Sequence, residues 1–159
     1  MAARDAALEA RVSVVLVEQP YRVAGRRSPA PAGQLDAAWT SVLAQLRGGE
    51  LEGLPLISGG RSAGARVACR TAAEVGAIAV LCLAFPVHPP GRGDDPTKSR
   101  LPELDAVSVP TLVVQGERDS FGIPPEAPNR RVVLVPGTHS LRSKAPIVAA
   151  VADWLVEIA

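Results

Sequence analysis

A serine, an aspartate and a histidine are spaced along this sequence so that they could share the handling of one proton. Ser62 lies within Gly60-Arg61-Ser62-Ala63-Gly64, a G-x-S-x-G pattern in which a strand turns sharply into a helix and holds the serine hydroxyl at the carboxyl edge of a sheet. Glycine tolerates the backbone angles of such a bend, and small flanking residues let strand and helix approach closely. Asp119 ends Gly116-Glu117-Arg118-Asp119, and His139 lies within Gly137-Thr138-His139-Ser140. A serine hydroxyl is a poor nucleophile at neutral pH; an imidazole can take its proton, and a carboxylate can fix the imidazole tautomer and stabilise the imidazolium. The helix leaving the bend would point its N-terminal amides at the same spot, where negative charge on a bound substrate would be stabilised. Taken singly, each residue also has a plainer reading: Ser62 as a small turn residue, Asp119 as a solvated turn or helix cap, His139 as a loop histidine.

For the three to meet, each must follow a parallel strand, because the loops at the carboxyl ends of an open α/β sheet converge on one side. The hydrophobic pattern predicts such strands. Residues 2–11 are strong helix formers and predict a short opening helix. Val12–Val17 is β-branched and almost wholly apolar, which predicts a buried parallel strand. Leu35, Ala38, Trp39, Val42, Leu43 and Leu46 recur at a helical period and predict a helix stopped by Gly48-Gly49. Leu54–Ile57 predicts a short strand into the serine corner, and Ala63–Val75 the helix out of it. Further strands are predicted over Ile78–Phe85, Val109–Gln115 and Arg131–Pro136, with one helical turn over Leu101–Leu104. Pro146–Ile158 carries an apolar stripe and predicts a closing amphipathic helix. The Pro- and Gly-rich segments 23–33 and 86–96 predict loops. This alternation implies a three-layer α/β fold with a mostly parallel sheet covered on both faces, in one domain over residues 1–159.

Composition narrows the partners. The chain has 47% hydrophobic but only 3% aromatic residues, so Ala, Val and Leu must build its core. Lys plus Arg number 17 against 16 Asp plus Glu, a formal charge of +1 that implies neither a nucleic-acid partner nor an anionic membrane. The opening residues lack the apolar core of a signal peptide, and no run approaches the ~20 apolar residues of a membrane span, so a cytoplasmic location is expected. Cys69 and Cys82 stand among apolar or small residues and read as buried free thiols in a reducing compartment. These cysteines and the two histidines lack the spacing of a zinc site, and no metal or organic cofactor is expected. Ser58-Gly59-Gly60-Arg61-Ser62 lacks a P-loop lysine, and no G-x-G-x-x-G fingerprint follows a strand, which disfavours nucleotide binding.

Taken together, four segments resemble the α/β-hydrolase superfamily, in particular its small dienelactone-hydrolase-like and Tex/KANL-like members. They are Gly59–Arg66, Leu83–Gly91, Gln115–Asp119 and Pro136–Ser140, in the order serine, acid, histidine expected of such enzymes. The resemblance implies that Ser62 attacks an acyl carbonyl, that His139 acts as general base and then acid, and that Asp119 orients it. The backbone amide of Ala63 would donate one oxyanion contact. Leu83–Gly91, with Phe85 and His88, would line or brace the site. His88, between Val87 and Pro89, reads as a loop-bracing residue rather than a second base. Arg61 could meet an anionic substrate, and Arg66 reads as a solvated helix residue.

The sequence departs from that family in one respect. Members have, ahead of the helix predicted at 2–11, at least one strand and a Gly-rich loop whose amide supplies the other oxyanion donor. Neither precedes that helix here, so the expectation is a sheet lacking its first strands and a true start upstream of Met1. A strand slot would then stand empty between Val12–Val17 and Leu54–Ile57, unless those strands pair directly. The leading functional expectation is a serine hydrolase that acts on a small-molecule ester, thioester or related acyl substrate through an acyl-enzyme. The alternative is a non-catalytic scaffold or interaction protein of the same fold.

Overall fold

The computed structural model describes residues 2–158. Four strands, β1 (Ile57–Arg61), β2 (Ala79–Leu83), β3 (Thr111–Gly116) and β4 (Arg130–Val135), form an all-parallel sheet in the order β1-β2-β3-β4. Among the described residues six helices accompany them: α1 (Ala2–Glu9), α2 (Pro20–Val23), α3 (Ala32–Arg47), α4 (Ala63–Thr71), α5 (Leu101–Asp105) and α6 (Lys144–Ile158). A short 3-10 turn spans Pro96–Lys98.

The period-two alternation of the strands divides the core between the two faces of the sheet. Val80 and Cys82 of β2 and Val113 of β3 pack with Leu43 of α3, Ala65, Ala68 and Cys69 of α4, and Leu104 of α5. Ala79 of β2 and Leu112 and Val114 of β3 point the other way, onto Ala2 and Ala6 of α1 and Ile147, Val151, Trp154 and Leu155 of α6. All six residues of β3 are buried, as befits a central strand covered on both sides. No helix among the described residues is long and apolar enough to cross a membrane.

One predicted strand is not formed. Val12–Val17 has no strand assignment, and Val15 and Leu16 are 46% and 66% exposed. β-branched residues favour an extended chain, but a strand also requires a hydrogen-bonding neighbour, and no described strand pairs with this run. β1 correspondingly has a ladder partner, β2, on one side only. The serine strand is displaced too: Leu54–Leu56 precede it, and the strand runs from Ile57 through Gly59 and Gly60 to Arg61. Glycines that read as a loop therefore belong to the ladder. The helix predicted to Val75 ends at Thr71, and the segment 23–33 is flanked by α2 and already enters α3 at Ala32.

Candidate active site

β1 delivers Ser62 to its position. The Ser62 amide donates to the Leu83 carbonyl at 2.9 Å, so the ladder with β2 holds up to the residue at the bend. There the backbone takes φ 54° and ψ −113°. A non-glycine residue in so sparsely populated a region costs about 1–3 kcal/mol and persists only where its surroundings impose it. α4 starts at the next residue, and its first turn closes with the Arg66 amide donating to the Ser62 carbonyl at 3.3 Å. The two glycines of the motif differ in what they provide. A Cβ on Gly60 would collide with the carbonyl group of Gly64, whereas a Cβ on Gly64 would meet nothing within 4 Å.

Asp119 follows β3 and His139 follows β4. His139 Nε2 lies 2.9 Å from Ser62 Oγ, and its Nδ1 lies 2.9 Å from Asp119 Oδ2. A carboxylate oxygen can only accept, so Nδ1–H donates to Asp119 and Nε2 is left to accept the Ser62 hydroxyl. The Asp119 side chain is wholly buried, while that of His139 keeps 21% exposure. Asp119 Oδ1 accepts the Phe121 amide at 2.9 Å, which fixes the carboxylate within its own turn. The Phe121 ring packs against the His139 imidazole, with centroids 4.2 Å apart and planes tilted by 36°.

Gln115 is the site residue that sequence reasoning missed. It is fully buried on β3, and its amide nitrogen lies 2.8 Å from Asp119 Oδ2, 2.9 Å from the Gly122 carbonyl and 3.0 Å from the Phe85 carbonyl. A primary amide has two hydrogens for these three acceptors, so one hydrogen is shared. Gln115 thereby ties the end of β2 to the turn that carries Asp119. The only available signal was a polar residue at the end of an otherwise apolar strand, four positions before the aspartate.

The remaining residues singled out from sequence fall as follows. The Ala63 amide opens α4 and belongs to the first turn, whose amides have no intrahelical acceptor. Arg61 is exposed, and its guanidinium donates to the His139 carbonyl at 3.1 Å, bracing the histidine loop from its backbone. The Phe85 side chain has no exposure and belongs to the core beneath α4, so this residue meets the site through its carbonyl rather than lining an open pocket. His88 Nδ1–H donates to the Pro89 carbonyl at 2.9 Å, and its ring fits against Gly93 and Gly122. Its described hydrogen bonds reach none of Ser62, Asp119 or His139.

Arg66 is not a solvated helix residue. It makes a two-pronged ion pair with Glu103 of α5 at 2.5 and 2.7 Å. Arg70, one turn on, pairs with Asp36 of α3 and reaches Glu103 at 3.1 Å. The hydrogen bond to Asp36 is the main reason the Arg70 guanidinium is held above its ordinary pKa. Nearby Arg100 is lowered, first by burial and then by the charge of Arg66. These pairs join α3, α4 and α5 behind the serine bend. Among the described residues no group of three His, Cys, Asp or Glu side chains is placed to hold a metal ion.

Comparison with known proteins places the chain in a family. A family model described as an alpha/beta hydrolase domain matches residues 1–142. An alpha/beta serine hydrolase without a lid from Xanthomonas campestris is similar in structure, with a TM-score of 0.75 and 21% identity over 98% of this chain and 71% of that one. A hydrolase of the alpha/beta superfamily from Xanthomonas campestris pv. campestris is similar with a TM-score of 0.67 and 20% identity, over 98% of this chain and 88% of that one. An alpha/beta serine hydrolase homologue from Coxiella burnetii is similar with a TM-score of 0.64 and 15% identity, over 98% and 73%. No curated protein matches the chain by sequence. With a family match over most of its length and a parallel sheet that carries Ser62, Asp119 and His139 at its carboxyl edge, this chain belongs to the alpha/beta hydrolases.

Proposed function

We propose that the chain is a serine hydrolase that cleaves a small carboxylic ester, thioester or related acyl compound through an acyl-enzyme. The observation that carries this reading is the hydrogen-bonded line from Ser62 Oγ through His139 to Asp119, with both contacts at 2.9 Å. In the first step His139 Nε2 accepts the hydroxyl proton as Ser62 Oγ adds to the acyl carbonyl. The oxygen that becomes negative faces the first turn of α4, where the Ala63 amide donates to it. When the tetrahedral intermediate collapses, His139 returns the proton to the departing alcohol or thiol, leaving the acyl group on Ser62. Water then repeats the cycle from the other side, with its proton passing to His139 and finally to Ser62 Oγ. Asp119 holds Nδ1–H throughout and stabilises the imidazolium without taking its proton. The free thiols of Cys69 and Cys82 favour a cytoplasmic, reducing setting for this chemistry.

A fluorophosphonate probe tests the reading. It should label Ser62 and fail on Ser62→Ala, and His139→Ala should lower ester turnover by about 10²–10⁴-fold. Equal labelling of wild type and Ser62→Ala would overturn the assignment. A stable chain that neither reacts with the probe nor hydrolyses a broad ester and thioester panel would favour a non-catalytic scaffold instead.

A further inference from the structure

Two cysteines outside the serine site lie side by side in the core. Cys69 on α4 and Cys82 on β2 have their sulfur atoms 3.4 Å apart, and both are free thiols. They are not equivalent. Both are buried, Cys82 with no exposure and Cys69 with 4%, but Cys69 also borders a cleft of about 470 Å³ between α4 and the segment running from α5 to Val109. The other lining groups include Ala72, Ala73, Ala77 and Ala106. Of the two, Cys69 is therefore the thiol nearer to a route from solvent.

We propose that Cys69 and Cys82 form a reversible oxidation site for small hydroperoxides, with Cys69 as the attacking thiol and Cys82 as the resolving one. Cys69 sulfur attacks the peroxide, so that an S–O bond forms, the O–O bond breaks and an alcohol (or water, from hydrogen peroxide) departs, leaving a sulfenic acid. Cys82 sulfur then attacks Cys69 sulfur; the S–S bond forms, the S–O bond breaks, and the hydroxide leaves as water with the proton of Cys82. Two thiols and one hydroperoxide thus give one disulfide, one alcohol and one water. The sulfurs must close from 3.4 Å to about 2.05 Å. The hydrogen bond with Cys69, reinforced by burial, holds the Cys82 thiol well above its ordinary pKa. Cys82 thus keeps its proton until it attacks, and that proton leaves with the hydroxide. The product would tie α4, the helix that follows Ser62, to the strand beside β1.

The test adds hydrogen peroxide to the folded chain, alkylates the remaining thiols and maps the peptides by mass spectrometry. The expected result is an intramolecular Cys69–Cys82 disulfide that dithiothreitol reverses. In Cys82→Ala, with folding checked by circular dichroism, a sulfenic acid on Cys69 should be trapped by dimedone. If both thiols of the folded wild type remain alkylatable after a treatment that fully oxidises the chain in urea, the proposal is wrong. Oxidation between chains, or at Cys82 alone, would also overturn it. Ser62→Ala should oxidise as wild type does, which separates this outcome from that of the hydrolase reading.

Discussion

Gly116 and Thr138 meet backbone to backbone: a Cβ on Gly116 would fall 2.5 Å from the Thr138 carbonyl oxygen. This approach lays the histidine loop against the end of β3, and the Arg118 amide seals it by donating to the Gly137 carbonyl at 3.0 Å. Gly116→Ala must push the two loops apart and so draw His139 away from Asp119. Overpacking of this kind typically costs about 1–3 kcal/mol, readable by urea unfolding. A misplacement near 1 Å would lower ester turnover by about 10²-fold. Wild-type turnover in this variant would show that the close contact does not set the site.

The two glycines flanking Ser62 should respond oppositely to alanine. Gly60→Ala sets a Cβ against the Gly64 backbone, so the variant should lose probe labelling of Ser62 together with stability. Gly64→Ala adds a methyl to open space in the first turn of α4. It should keep the fold and gain up to about 1 kcal/mol from the higher helix propensity of alanine. Thermal unfolding of the pair decides the matter, and equal loss in both would contradict the contact geometry.

Gln115→Leu keeps an apolar volume on β3 but strips the donor from Asp119 Oδ2 and from the carbonyls of Phe85 and Gly122. Each buried acceptor left unpaired costs about 1–3 kcal/mol, so the loss of stability should be measurable in urea. As a positioning residue acting through Asp119, Gln115 should affect kcat rather than KM. A fall in KM-controlled binding with unchanged kcat would assign it a different role.

Cys82 predicts a pH dependence of stability. In the unfolded chain its thiol ionises near the ordinary value of 9.0, whereas in the fold it is held well above that. The folded state therefore keeps a proton that the unfolded state has released. Stability from this group is complete below about pH 9 and declines as pH rises towards the folded pKa. Urea unfolding between pH 8 and pH 10 should show the decline (on the order of 1.4 kcal/mol for each pH unit between the two pKa values), and Cys82→Ala should flatten it.

Much of this architecture could be read from contiguous residues. The apolar runs at 78–85 and 109–115 specify β2 and β3 because a strand covered on both faces is largely apolar, and the β-branched run at 131–136 specifies β4 at the edge of the sheet. The stripe from Ile147 to Ile158 specifies α6 for the same kind of local reason. The bend at Ser62 was legible because a strand, a tight turn and a helix are encoded within a few consecutive positions. Strand ends then implied one shared rim, which is where Ser62, Asp119 and His139 stand within hydrogen-bonding distance.

What the sequence left open depends on partners in space. Val12–Val17 has the composition of a strand, yet a ladder exists only between two chain segments, and no local pattern states whether a neighbour is present. Arg66 looks like a solvated residue until Glu103, 37 positions away, is folded against it. Phe85 suggests a pocket wall until helix packing buries it, and Gln115 gains its role only when the ends of β2 and β3 lie side by side. Periodicity and turn chemistry act within a few residues, so they settle the kind of each element. Hydrogen bonds and ion pairs across the sheet edge act through distance alone, so only the folded chain decides which side chains hold the site.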